Sequence, residues 1–167
     1  MKLILLRHGV AIDRADWAKK NKDDSLRPLL PKGKLRTKKM CIHLSDWIKD
    51  VDVIVHSPYQ RAKETALIAK AIIKPKFFRE SVELIPEAPP QSFVHWLKIE
   101  FPQSSTVIAI GHEPHLSTIA TWLLSGQTES FIQFKKSGIL CLDVESFSEL
   151  GPRCAELSFL VQPKLFE

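Results

Sequence analysis

The chain has 167 residues, 44% of them hydrophobic, which is enough apolar mass for one sizeable core, so residues 1–167 are expected to form a single domain. Basic residues outnumber acidic ones 24 to 19, a net charge of +5, which leaves phosphoproteins, phosphorylated metabolites and nucleic acid open as anionic partners. Nucleic acid is disfavoured, because only 8% of residues are aromatic and the one dense basic run, Lys32 to Lys39, falls at the start of an amphipathic helix, where a solvated face is the commoner use. Cys41, Cys141 and Cys154 are too few and too widely spaced for a disulfide framework or a zinc cluster, so reduced thiols are expected. The apolar run Leu3 to Leu6 is too short for a signal sequence and nothing approaches a membrane span, so a cytoplasmic protein with no membrane partner is expected.

In chain order, residues 2–6 read as a short buried strand ended by Arg7, His8 and Gly9. Residues 13–31 are polar and punctuated by Pro28 and Pro31, which predicts an irregular loop. Met40, Leu44, Trp47 and Ile48 then repeat at helical spacing, predicting a helix over residues 33–49. Residues 51–55 predict a second strand, and Ser57 and Pro58 open a helix that stops before Pro75. A helix over residues 91–100 carries Phe93, Trp96 and Leu97, and residues 106–110 form a third strand ending in Gly111 and His112. A helix over residues 114–124 and strands over residues 139–144 and 155–161 follow. Such alternation implies crossover connections: a three-layer α/β/α sandwich with a mostly parallel central sheet. In that architecture a ligand lies beyond the strand carboxyl ends, where Arg7, His8, Ser57, Arg61 and His112 would converge.

Two arginines and two histidines at such an edge can hold and transfer a phosphoryl group. Guanidinium forks match pairs of phosphoryl oxygens and stay charged, which suits Arg7 and Arg61 to phosphate binding. One neutral imidazole, His8, can attack phosphorus, while His112 donates to the phosphoryl oxygens. Gly9 would let the backbone approach a ligand closely. This chemistry needs no metal and no cofactor, and His112, Glu113 and His115 lack the His-Glu-x-x-His spacing of a zinc site. Ser57 either adds a hydroxyl to the pocket or caps the following helix. Arg27 either meets substrate or is solvated. His43, His56 and His95 are expected to be structural and His115 to lie on a helix face.

These residues carry a resemblance. Arg7, His8 and Gly9 look like the Arg-His-Gly signature of the histidine phosphatase superfamily, which includes phosphoglycerate mutases and acid phosphatases. The segment from Ser57 and Pro58 through Arg61 and Ala62 to Thr65 resembles the family's second motif, and Gly111, His112 and Glu113 its third. Within the superfamily, the short chain and the Arg27, Pro28, Leu29 run followed by Gly33 look most like the SixA-type phosphohistidine phosphatases. The resemblance implies a phosphoglycerate mutase-like fold, a phosphohistidine intermediate on His8, and a phosphate pocket of Arg7, Arg61 and His112. It also implies a leaving-group acid between the second arginine and the second histidine, where Glu83 and Glu87 stand and Glu87 is the expected choice. The long lid of the mutases has no counterpart, so the site should be open, as suits a phosphorylated protein such as a histidine phosphotransfer domain. A phosphohistidine substrate relaxes the need for an acid, because its P–N bond is labile once the imidazole is protonated. A general small-molecule phosphomonoesterase, and a non-catalytic phosphoprotein-binding module, are the rival functions.

Overall fold

A six-stranded sheet forms the middle of the computed structural model, which describes residues 1–166. Its strands are β1 (Lys2–Arg7), β2 (Val53–His56), β3 (Phe77–Glu80), β4 (Thr106–Gly111), β5 (Ile139–Val144) and β6 (Ala155–Val161), in spatial order β3-β2-β4-β1-β5-β6. The helices are α1 (Arg14–Ala18), α2 (Pro31–Trp47), α3 (Gln60–Ile73), α4 (Pro90–Glu100) and α5 (His115–Ser125).

The central strands are apolar at every position between their ends because helices cover both faces. Successive side chains alternate between faces. Ile4, Leu6, Ile54, Ile108 and Ile110 pack on one side against Met40, Cys41 and Leu44 of α2 and Ala62, Ala66 and Ala69 of α3. Leu3, Leu5, Val53, Val55 and Val107 pack on the other against Phe93 and Leu97 of α4 and Leu116, Ile119 and Leu123 of α5. The alanines of α3 recur at one face of the helix and leave only a methyl group between it and the sheet. Lys74 and Gly126, both left-handed, end α3 and α5. The result is the three-layer arrangement expected from the alternation of strands and helices.

Five of the six strands run in one direction, as expected of a mostly parallel sheet, and only β5 is reversed, pairing antiparallel with both β1 and β6. Three details depart from the sequence-based expectations. β3 was not foreseen, since this edge strand buries almost nothing and Phe77 is half exposed. The loop over residues 13–31 contains α1, a five-residue helix capped by Asp13, whose carboxylate accepts from the Ala15 and Asp16 N–H groups. So short a helix leaves no periodic signal. Finally, Trp47 is not a core residue of α2: it is 43% exposed and its ring meets His43 and Phe166 at the surface.

Register brings the functional segments level. Arg7 of β1 stands opposite Gly111 of β4, and His56 of β2 opposite Ile110. The ladder runs one residue further on each side of β4, with His8 N–H donating to Gly111 O (3.1 Å) and Ser57 N–H to Ile110 O (3.0 Å). His8, Ser57 and His112 therefore leave three adjacent parallel strands at the same height.

Candidate active site

Beyond those strand ends lies a pocket of about 260 Å³, lined by Arg7, His8, Arg61 and His112 together with Arg27, Lys136 and Glu113. Four residues expected from the sequence to act together are thus brought together, although 104 positions separate the two histidines.

The His8 imidazole is buried, with Nδ1 2.8 Å from the Gly9 carbonyl oxygen. A carbonyl can only accept, so Nδ1 carries the proton and Nε2 the free lone pair. Burial, with Arg61 and Arg7 nearby, pushes its pKa down to about 3 against the opposing hydrogen bond to Gly9. His8 is therefore a neutral imidazole with an unengaged nitrogen at physiological pH, as nucleophilic attack requires.

His112 sits with its ring centroid 5.1 Å from that of His8. Its Nε2 is 2.9 Å from Ser57 Oγ, which also accepts from the Tyr59 N–H (3.3 Å). The Ser57 hydroxyl proton has no other acceptor among the described residues, so it donates to Nε2, and the remaining ring proton resides on Nδ1. That Nδ1 is buried and has no partner. Burial, His8 and Arg61 together push the His112 pKa to about 2. Ser57 thus sets the tautomer and angle of His112 as well as supporting the approach to α3.

The arginines are held by their outer nitrogens and keep an inner one free. Arg7 Nη1 donates to Phe134 O at 2.6 Å. Arg61 Nη1 donates to Asp24 O (2.9 Å) while Nη2 lies 3.1 Å from Asp24 Oδ2. The Nε atoms of both are buried without partners. Arg27 is buried too, donating from Nε to Asp24 Oδ1 (2.9 Å) and from Nη1 to Ile12 O (2.8 Å). Burial works against ionisation of Asp24, yet Arg61 and Arg27 outweigh it and hold the carboxyl below its usual range. Unpaired buried donors are rare because each forfeits its hydration. Three of them, Arg7 Nε, Arg61 Nε and His112 Nδ1, converge here around His8, which is what a site for a tetrahedral anion requires.

The carboxylates are distributed otherwise than expected. Glu87 is exposed and does not line the pocket; its Oε2 accepts from the Tyr59 hydroxyl at 3.0 Å, and Tyr59 in turn sets its ring edge against His112. Glu113 does line it, half-buried, with Oε1 accepting from the Ser117 N–H, and burial raises its pKa against the effects of Ser117 and Arg7. Gly9 also differs in role. A β-carbon there would fall 2.6 Å from Thr37 Oγ1 and 3.0 Å from Gly33 O, so this glycine admits α2 rather than a ligand. His115 is buried rather than exposed on its helix. Asp24, Lys136 and the orienting use of Ser57 carry no signal in the sequence, since each depends on partners tens of residues away. Among the described residues, no group of three or more His, Cys, Asp or Glu side chains could hold a metal ion.

Residues 3–82, which include Arg7, His8 and Arg61, match the family model of the histidine phosphatase superfamily (branch 1). The chain belongs to this superfamily. A protein of Picosynechococcus sp. strain PCC 7002, itself uncharacterised, is 33% identical over 168 residues, covering 98% of both chains. Among solved structures, the protein histidine phosphatase SixA, determined with tungstate, superposes with a TM-score of 0.83 at 21% identity over all of both chains. A phosphoserine phosphatase of Entamoeba histolytica, determined with phosphoserine, gives 0.69 at 15% identity over 99% of each. At these identities the likeness is one of fold, and it corresponds to the phosphoglycerate mutase-like sandwich expected from the motifs.

Proposed function

We propose that this phosphatase hydrolyses phosphohistidine in proteins through a covalent phosphohistidine on its own His8. The observation that carries the reading is the convergence of three unpartnered buried donors on a neutral imidazole whose Nε2 is unengaged. In the first step Nε2 attacks phosphorus in line as the bond to the leaving nitrogen breaks. The phosphoryl oxygens then sit between Arg7, Arg61 and His112, whose fixed donors stabilise the spreading charge. The departing imidazole takes a proton from Glu113 or from water. In the second step water attacks phosphorus and gives up a proton to the Glu113 carboxylate or to bulk water, and the P–N electrons return to Nε2. Nδ1–H stays on Gly9 O throughout.

The open pocket, the placement of Glu87 away from it and the SixA-like fold all favour a labile phosphoramidate on a protein over an enclosed metabolite. Three free cysteines accord with action in the cytoplasm, and no helix among the described residues is long and apolar enough to cross a membrane. Glu113 favours a second reading, hydrolysis of small phosphomonoesters, because a carboxyl with a raised pKa in the pocket can protonate an alkoxide.

Phosphate release from a phosphorylated histidine phosphotransfer protein and from an aryl phosphate, each in chelator, separates the two. Faster turnover of the phosphohistidine protein is the expected result. The reverse ranking, with loss of aryl phosphate turnover in Glu113→Gln, would make the chain a general phosphomonoesterase.

A further inference from the structure

A second and larger cavity, of about 610 Å³, opens beside the catalytic pocket and shares Arg7 and Lys136 with it. Its other charged lining residues are Arg36, Lys135 and Lys164, and among the described residues no carboxylate lines it. Through Arg36 and Pro163 it continues into a third cavity of about 190 Å³, where Lys32 and Lys39 of α2 flank Leu35, Met40 and Phe166. The basic run of α2, which the catalytic chemistry leaves unused, thus forms the far end of one tract leading away from His8.

Several other lysines have a carboxylate partner: Lys34 of the same helix with Glu64, Lys63 with Glu80, Lys76 with Asp52 and Lys2 with Asp143. Lys32, Lys39, Lys135, Lys136 and Lys164 pair with no carboxylate among the described residues. Like charges gathered without counter-charge repel one another, and an anionic partner relieves that cost. The acidic residues Glu145, Glu149 and Glu156 line a separate cavity with Arg153, so the segregation of charge is spatial.

We propose that this tract docks an acidic segment of the phosphorylated protein, laid alongside the phosphorylated side chain as the latter enters the pocket. The proposal rests on the phosphohistidine reading above. A segment of chain fits better than a second phosphate of a small substrate, because the tract spans two further cavities and interleaves its cations with Leu35, Met40, Pro163 and Phe166. Acidic side chains can meet the lysines while apolar ones fill the gaps between them. Such a surface accelerates encounter and is screened by salt.

The test is a Lys39→Glu/Lys135→Glu/Lys164→Glu variant, built from exposed side chains outside the catalytic pocket. Aryl phosphate turnover should stay within about twofold of wild type, which also reports an intact fold. With the phosphorylated histidine phosphotransfer protein, kcat/KM should fall by about tenfold or more and lose most of its salt dependence. A fluorescent peptide of alternating acidic and leucine residues should bind wild type at least about tenfold more tightly than the variant. Unchanged phosphoprotein turnover, equal peptide affinity, or tighter binding of single-stranded RNA than of the peptide would overturn the proposal. Peptide binding lost in the variant, together with a wild type unable to hydrolyse the phosphohistidine protein, would overturn the substrate reading while supporting an acidic partner.

Discussion

At the scale of single residues, the site works by what it leaves unpaired. His8 is neutral because burial and two arginines disfavour its charged form, and its proton is parked on the Gly9 carbonyl. His8→Ala should fold normally yet lose about 10³-fold or more in kcat and fail to form an acid-labile phosphoenzyme. Wild-type labelling in that variant would refute the mechanism. With a pKa near 3, protonation of His8 should not depress kcat/KM for an aryl phosphate between pH 8 and pH 5.5. An inflection near pH 6.5 that vanished with His8 would show a hydrated imidazole instead. Asp24 does not touch His8, but it grips Arg61 twice and Arg27 once. Asp24→Ala should lower kcat/KM by about tenfold, equivalent to about 1.4 kcal/mol of transition-state stabilisation. Asp24→Asn, which can still accept a hydrogen bond from a guanidinium, should recover part of the loss, mainly in kcat.

At the scale of elements, the pocket depends on how closely α2 meets the chain leaving β1. A β-carbon on Gly33 would stand 2.1 Å from Val10 O and 2.8 Å from Val10 N, both backbone atoms with nowhere to go. Gly9 makes the reciprocal approach to Gly33 O and Thr37, and its N–H donates to Thr65 Oγ1 of α3 at 3.0 Å. These contacts hold residues 8–10 between two helices. Gly33→Ala should therefore destabilise the fold by about 1–3 kcal/mol through overpacking. For a chain of this size that is a fall in Tm of roughly 2–4 °C per kcal/mol. Activity should drop as well, because Val10 cannot move without its neighbours. A calorimetric Tm equal to wild type with full turnover would show that α2 can shift freely.

At the scale of the whole molecule, four buried histidines tie stability to pH. His8, His56, His112 and His115 all have pKa values lowered chiefly by burial. Between the ordinary value near 6.5 and these lowered values the unfolded chain binds more protons than the folded one, so stability is fully present above about pH 6.5 and is lost as pH falls. Each histidine contributes up to about 1.4 kcal/mol per pH unit in that interval. The urea midpoint at pH 5 should lie well below that at pH 7.5. An unchanged midpoint would mean that these imidazoles take up protons without unfolding.

The sequence by itself determined the strands, the covering helices and the three motifs. Buried parallel strands must be apolar throughout, helices must repeat their apolar positions, and Arg7, His8, Arg61 and His112 follow directly on such elements. Only the tertiary structure decided which neighbours those residues meet. Asp24 becomes a shared partner of Arg27 and Arg61 because a polar loop folds over α3, and Glu87 is drawn to Tyr59 while Glu113 takes the place in the pocket expected for it. Gly9 proved to be a helix-packing residue, and the basic run of α2 joined Lys135, Lys136 and Lys164 in one tract. Periodicity is a local property written along the chain, whereas a side chain's partner depends on how distant loops close over the sheet, and no spacing in the sequence encodes that.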